Sequence, residues 1–274
     1  SMVVGLVMGV HAFATLIWGD FSYDPVNLLV YLPVSLMYIG SMTIGYYGLK
    51  YLKLSISSPI QNSSGAVTCL MCWLLLGQQM NGLSVAGTVL ICAGILLLGV
   101  LERREEAALA TPGDRKYKIG FWAFMMPVFY CIIDALGTFL DAYYLDDFAA
   151  TPLRGVTEAS LENVANVSYE LTFLLAAILI FVFLRFYKKE RISWPKQKDR
   201  GIAAILETAG QAAYVYAMSG NGIVAAPMIA SYSIVSLLLS GLVLKERLTR
   251  WQYAVVAVVI AGIALLGLAE GLGG

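Results

Sequence analysis

The chain has 274 residues, of which 59% are apolar and only 13% charged, against roughly 45–50% and about 25% in soluble globular domains. That composition excludes an ordinary soluble enzyme. The 18 basic and 18 acidic residues cancel, and the basic ones fall in short clusters between long apolar runs, so no basic face exists to hold a nucleic acid.

A bilayer core takes about 20 apolar residues as a helix, and nine segments meet or approach that length: approximately 1–18, 27–49, 56–76, 83–101, 118–142, 160–186, 200–219, 223–244 and 251–270. Hydrocarbon offers no water to satisfy backbone polar groups, so such segments close their own hydrogen bonds as helices. The expected class is an all-α polytopic membrane protein. The first segment has neither the basic start nor the small-residue cleavage signature of a signal peptide and is read as a spanning helix. Seventeen of the 18 basic residues fall in alternate loops, those after the second, fourth, sixth and eighth segments, and Arg154 alone falls on the other side. Basic loops stay cytoplasmic, which places residue 1 in the cytoplasm and the C-terminus outside.

Displaced by 168 residues, the stretch 46–99 aligns with 214–267 without a gap. Tyr46 meets Tyr214, Pro59 meets Pro227, Ser63 meets Ser231, Leu74 meets Leu242 and Leu76 meets Leu244. At the end, Ala93-Gly94-Ile95 repeats as Ala261-Gly262-Ile263, and Leu97-Leu98-Gly99 as Leu265-Leu266-Gly267. Basic residues are missing after the third segment but present after the eighth, its equivalent, so the halves are expected to be inverted, as in many transporters. Residues 1–101 then form a first repeat of four helices lacking its first, 102–117 a cytoplasmic linker, and 118–274 a complete second repeat of five. A tenth helix is expected upstream of residue 1.

This pattern resembles the drug/metabolite transporter superfamily, in particular its EamA-type members. The residues that carry the likeness are Ala225-Ala226-Pro227 opening a helix, Leu244-Lys245-Glu246-Arg247-Leu248-Thr249 closing it, and the run Gly262 to Gly267 in the last helix. The resemblance implies ten helices in two inverted five-helix repeats and a place in the bacterial inner membrane. Two departures stand out: Gly77-Gln78-Gln79 replaces the Glu-Arg pair in the first repeat, and the basic residues place the termini on opposite sides, where the family keeps both cytoplasmic.

Ionisable groups inside spans are costly and default to functional candidates. On the fifth segment Asp134, Thr138 and Asp141 share one face; on the sixth, Glu162, Asn166 and Glu170 step by four beside Tyr169; on the seventh, Glu207, Gln211 and Tyr214 repeat the design. At about 1.5 Å per residue, Glu207 lies ~10 Å and Asp134 ~24 Å from the cytoplasmic ends, and Glu170 ~15 Å from the outer end. Asp141 and Glu162 lie near segment ends. No Lys or Arg lies well inside a span, so the deep acids need a proton, a hydrogen bond or a cation as partner. The expected substrate-binding set is Asp134, Glu170, Glu207, Gln211, Tyr214, Tyr169, Asn166 and Asp141, with tyrosine ring faces suited to an amine.

His11, the single histidine, reads as a hydrogen-bonded packing residue rather than a proton relay, and the four cysteines, Cys69 and Cys72 of a CxxC among them, as lipid-phase packing. The GxxxG pairs Gly5/Gly9 and Gly267/Gly271 read as close helix contacts. No catalytic constellation, cofactor motif or metal-ligand cluster is expected. The leading reading is a secondary transporter of a small, amine-bearing or cationic metabolite, monomeric or dimeric, with protons as the coupling ion. A non-transporting scaffold or receptor subunit and a lipid flippase are the rivals.

Overall fold

A computed structural model of the chain describes residues 2–48, 60–109, 121–189, 198–232, 234–235, 238–239 and 249–273. The described residues hold helices and connections without a strand, in keeping with the all-α class. In chain order the helices are α1 (Met2–Trp18), α2 (Asn27–Val30), α3 (Leu32–Gly48), α4 (Ser64–Met71), α5 (Gly82–Leu109), α6 (Phe121–Asp146), α7 (Leu161–Val182), α8 (Lys198–Met218), α9 (Gly222–Ala230) and α10 (Arg250–Gly273). Single π-helical turns, Cys72–Leu76 and Phe183–Tyr187, follow α4 and α7.

Four stretches are long and apolar enough to cross a membrane: Gly82–Leu101, Met125–Asp146, Leu161–Tyr187 and Arg250–Ala269. Shorter apolar helices cover Met2–Trp18, Leu32–Gly45 and Ile60–Leu76. Val89, Leu96 and Val100 of α5, Leu175, Leu179 and Val182 of α7, and Ile260 and Leu268 of α10 are exposed, an outward apolar surface suited to hydrocarbon. The segment expected at 223–244 lies partly outside the described residues, as do the start of 56–76 and residues 110–117 of the linker.

Three local differences from the sequence reading have physical causes. The segment 27–49 is broken between α2 and α3, because Pro33 has no N–H to give to Leu29 and starts a new helix instead. α5 runs on through the charged residues 102–106 to Leu109, so the first part of the expected linker is helical. Gly77 ends the π turn in a left-handed conformation, φ 67°, with its N–H on the Cys72 carbonyl; only glycine takes that geometry cheaply. Beside it, the Gln78 side chain accepts the Ile223 N–H at 2.9 Å and so caps α9. The departure at Gly77-Gln78-Gln79 is thus a helix stop and a cap.

The contacts divide the chain into two units, Ser1–Ile39 with Leu140–Gly220, and Gly40–Phe139 with Asn221–Gly274. In the first, α1 packs on α7 and α8, and α7 also meets α2 and α8. Val4, Gly5, Met8, Gly9 and Ala12 form the buried stripe of α1, spaced as one helical face. A Cβ on Gly5 would meet the Phe173 carbonyl oxygen, and one on Gly9 would lie 2.7 Å from Leu174 Cδ1; the first GxxxG is a close contact as expected.

In the second unit α10 packs on α5, and α9 on α4 and α5. Gly87 and Gly262 bring two backbones together, each lacking room for a Cβ against the other's carbonyl oxygen at 2.8 Å. Nearby, Gly94 abuts Val259 and Gly262 abuts Ile91. The 168-residue offset carries Gly94 onto Gly262 and Ile91 onto Val259, so it exchanges these two contacts. At Gly267, by contrast, an added Cβ would meet nothing within 4 Å. The close-contact glycine of the last helix is Gly262, because the face presented to α5 is the one that carries it.

Candidate binding site

Seven of the eight residues singled out from the sequence, all but Asp134, belong to the first unit. There the break before Pro33 leaves Tyr31 fully buried between α2 and α3, with its hydroxyl donating to Asp141 Oδ1. Tyr144 sets its ring edge-on to Tyr31, centroids 5.6 Å apart, and anchors its hydroxyl on the Val30 carbonyl. Tyr38, two turns further along on α3, lies edge-on to Tyr169 at 5.6 Å and to Tyr214 at 6.1 Å, with 2.5 Å between the Tyr38 and Tyr214 hydroxyl oxygens. Tyr31 also feels Tyr169 and Tyr214 electrostatically. Asp141 and these tyrosines therefore form one aromatic cluster.

Three buried polar atoms of this unit have no hydrogen-bond partner: Asp141 Oδ2, Asn166 Oδ1 and Gln211 Nε2. The Asn166 amide nitrogen reaches the Ala212 carbonyl at 3.4 Å, which sets the side chain of α7 against the backbone of α8 beside Gln211. Asn166 and Tyr169 are three apart on α7, Gln211 and Tyr214 three apart on α8, so each pair shares a helix face. Leaving a buried polar group unpaired costs about 1–3 kcal/mol each. A fold that leaves two acceptors and one donor unpaired beside a tyrosine cluster offers a ligand three polar contacts.

Asp141, expected near a solvated end, is buried, with 1% of its surface exposed. Its neighbour in the pattern, Glu162, is half-buried and accepts from Ser219 at 2.8 Å. Glu207 is also only half-buried, although its depth in the segment suggested otherwise. Asp134 belongs to the second unit, where Ser41 donates to it at 3.2 Å.

Glu170 is fully buried, and the basic partner the spans lacked is His11. The Nδ1 of His11 lies 2.7 and 2.9 Å from the two carboxylate oxygens. Read from sequence as a hydrogen-bonded packing residue, His11 finds its partner in the Glu170 carboxylate of α7. Its signal was the GxxxG two residues upstream, which draws α1 against α7 at the depth of Glu170. Tyr31 and Tyr38 were missed as well: both lie in the segment 27–49 and read as further residues of its span.

Cys69, Cys72, Cys92 and Cys131 are free thiols. Among the described residues no group of three or more His, Cys, Asp or Glu side chains could hold a metal ion.

Membrane-length helices with apolar exteriors, together with a buried polar and aromatic cluster inside the first unit, define a helical membrane protein built to handle a small molecule. The chain belongs to the EamA-like transporter family, whose sequence profile matches residues 1–100 and 164–268, and is a membrane transporter of the drug/metabolite type. A solved crystal structure shares the fold at a TM-score of 0.67 and 15% identity, covering 97% of this chain and 86% of its own. No curated protein matches the chain.

Proposed function

We propose that the protein is a secondary active transporter of a small amine-bearing or cationic metabolite, working by alternating access between two inverted repeats, 1–101 and 118–274. The observation that carries the substrate class is Asp141, a buried carboxylate with one oxygen held by Tyr31 and the other unpartnered. A carboxylate so placed is expensive in an apolar interior, and an ammonium group would complete it. Tyr169, Tyr214, Tyr31 and Tyr38 supply ring faces for the same cation. Asn166 Oδ1 and Gln211 Nε2 would take the remaining polar atoms of the cargo. Asp134, in the second unit, is a further acidic candidate on its own.

The exchanged contacts of Gly94 with Val259 and Gly262 with Ile91 support the repeats, since a two-fold operation swaps contact partners in this way. The reversed loop charges support their inversion. The test is equilibrium binding and liposome uptake of tyramine and methylammonium by the reconstituted chain. Saturable uptake of either is expected, falling at least tenfold in Asp141→Asn. Uptake by that variant at the parent's rate would refute the assignment and favour a scaffold.

A further inference from the structure

The second buried acid of the first unit differs in kind from Asp141. Glu170 has no exposed surface, and both its oxygens are taken by one nitrogen of His11. The His11 side chain is 45% exposed, so the imidazole reaches from a closed carboxylate to an open surface of the unit. We propose that the His11–Glu170 pair is the proton-loading site of the transporter, distinct from the cluster that holds cargo. This rests on the reading above of a secondary amine carrier, takes its coupling ion to be the proton, and names the place where that proton binds.

The step balances on the ring itself. An incoming proton binds Nε2, the proton on Nδ1 passes to the Glu170 carboxylate, and the imidazole is left neutral as its other tautomer. The reverse order releases the proton to the same surface. A ring with one nitrogen on the acid and the other free is the minimum needed for such a relay, and a buried Glu170 could not exchange a proton without it.

The pair and the cargo cluster meet on α7. Asn166 stands four residues before Glu170, on the same helix face and about 5–6 Å away between Cβ atoms, and Tyr169 is the neighbour of Glu170 in the chain. A cation held by Asp141, Asn166 and the tyrosines therefore opposes a proton on the pair, which is the condition for exchange of one for the other. The other titratable groups of the elements packed around the pair are Glu162 and Tyr169 on α7 and, on α8, Glu207, Tyr214 and Tyr216 with Lys198, Asp199 and Arg200 in its first turn; α2 carries none, and Tyr23, before α2, reaches Ser168 of α7. His11 is the group hydrogen-bonded to the Glu170 carboxylate.

The single histidine makes the test direct. The chain labelled with 15N-histidine and placed in lipid nanodiscs gives one imidazole, whose nitrogen signals report tautomer and protonation. The expected result is a change of those signals between pH 5 and 9 that moves by one pH unit or more in Glu170→Gln and by less than 0.3 unit in Glu207→Gln. No change in that range, or no effect of Glu170→Gln, overturns the proposal. In liposomes loaded with a pH-sensitive dye, His11→Gln should lose at least nine-tenths of the proton movement driven by tyramine, yet keep tyramine exchange at equal pH. Undiminished proton movement also overturns it. If the parent neither binds nor moves tyramine, the amine-carrier reading fails, while the imidazole spectrum still decides whether the pair exchanges a proton.

Discussion

Asn27 and Arg154 hold each other by two opposed hydrogen bonds: the Asn27 amide donates to the Arg154 carbonyl at 2.8 Å, and the Arg154 N–H donates back to Asn27 Oδ1 at 2.7 Å. Asn27 is fully buried, so this pairing ties the connection after α6 to the start of α2, next to Tyr31. Asn27→Ala would strand two backbone groups and lower stability by about 1–3 kcal/mol. Thermal unfolding in detergent measures the loss, and protease cleavage within 147–160 should quicken. Unchanged melting and cleavage would mean that the pairing is incidental.

Gly5 and Gly9 make different predictions although both face α7. A Cβ on Gly5 meets a carbonyl oxygen of the backbone, which cannot move aside, whereas one on Gly9 meets the end of the flexible Leu174 side chain. Gly5→Ala should therefore destabilise by about 1–3 kcal/mol, clearly more than Gly9→Ala. Gly267→Ala, with open space around it, should be neutral or stabilising by up to about 1 kcal/mol. Equal melting temperatures for the Gly5 and Gly9 variants would overturn this ranking.

Gly77→Ala places a side chain at positive φ and should cost about 1–2 kcal/mol, with the same penalty expected for Gly77→Ser. Gln78→Ala, which removes only the cap on α9, should cost about 1 kcal/mol. If both variants melt like the parent, the π turn does not depend on its glycine stop.

Membrane orientation follows from the basic loops. Single cysteines at Lys116 and Asp147, in a background without Cys69, Cys72, Cys92 and Cys131, should label from opposite sides. In the same frame, residues 30–99 should superpose on 198–267 after a rotation about an axis in the membrane plane. Labelling of both cysteines from outside would sink the first expectation. An experimental structure with the two blocks running the same way would sink the second.

Apolar length and polar spacing were legible because they are local: the stripes on α7 and α8 and the contact at Gly9 follow from helical period alone. The break at Tyr31 was legible too, through Pro33, although the sequence reading ran the segment through it. Pairings were not. His11 and Glu170 are 159 residues apart and Tyr31 and Asp141 are 110 apart, and no periodicity within one helix tells which residue of another it will meet. The unforeseen partner of His11 and the reading of Asp141 as near-solvent share that cause. Gly267 failed for a related reason: a GxxxG pattern states that a face is small, while the neighbour decides whether anything lies against it.

Where Gly87 and Gly262 touch, no side chain stands between the two backbones, and a joint of that kind has no cushion. Side chains elsewhere can change rotamer to absorb a small tilt; here any tilt of α5 is handed on undiminished to α10. The two longest described partners of the second unit are thus geared together, and whatever movement the transport cycle asks of one, it obtains from both as a single lever.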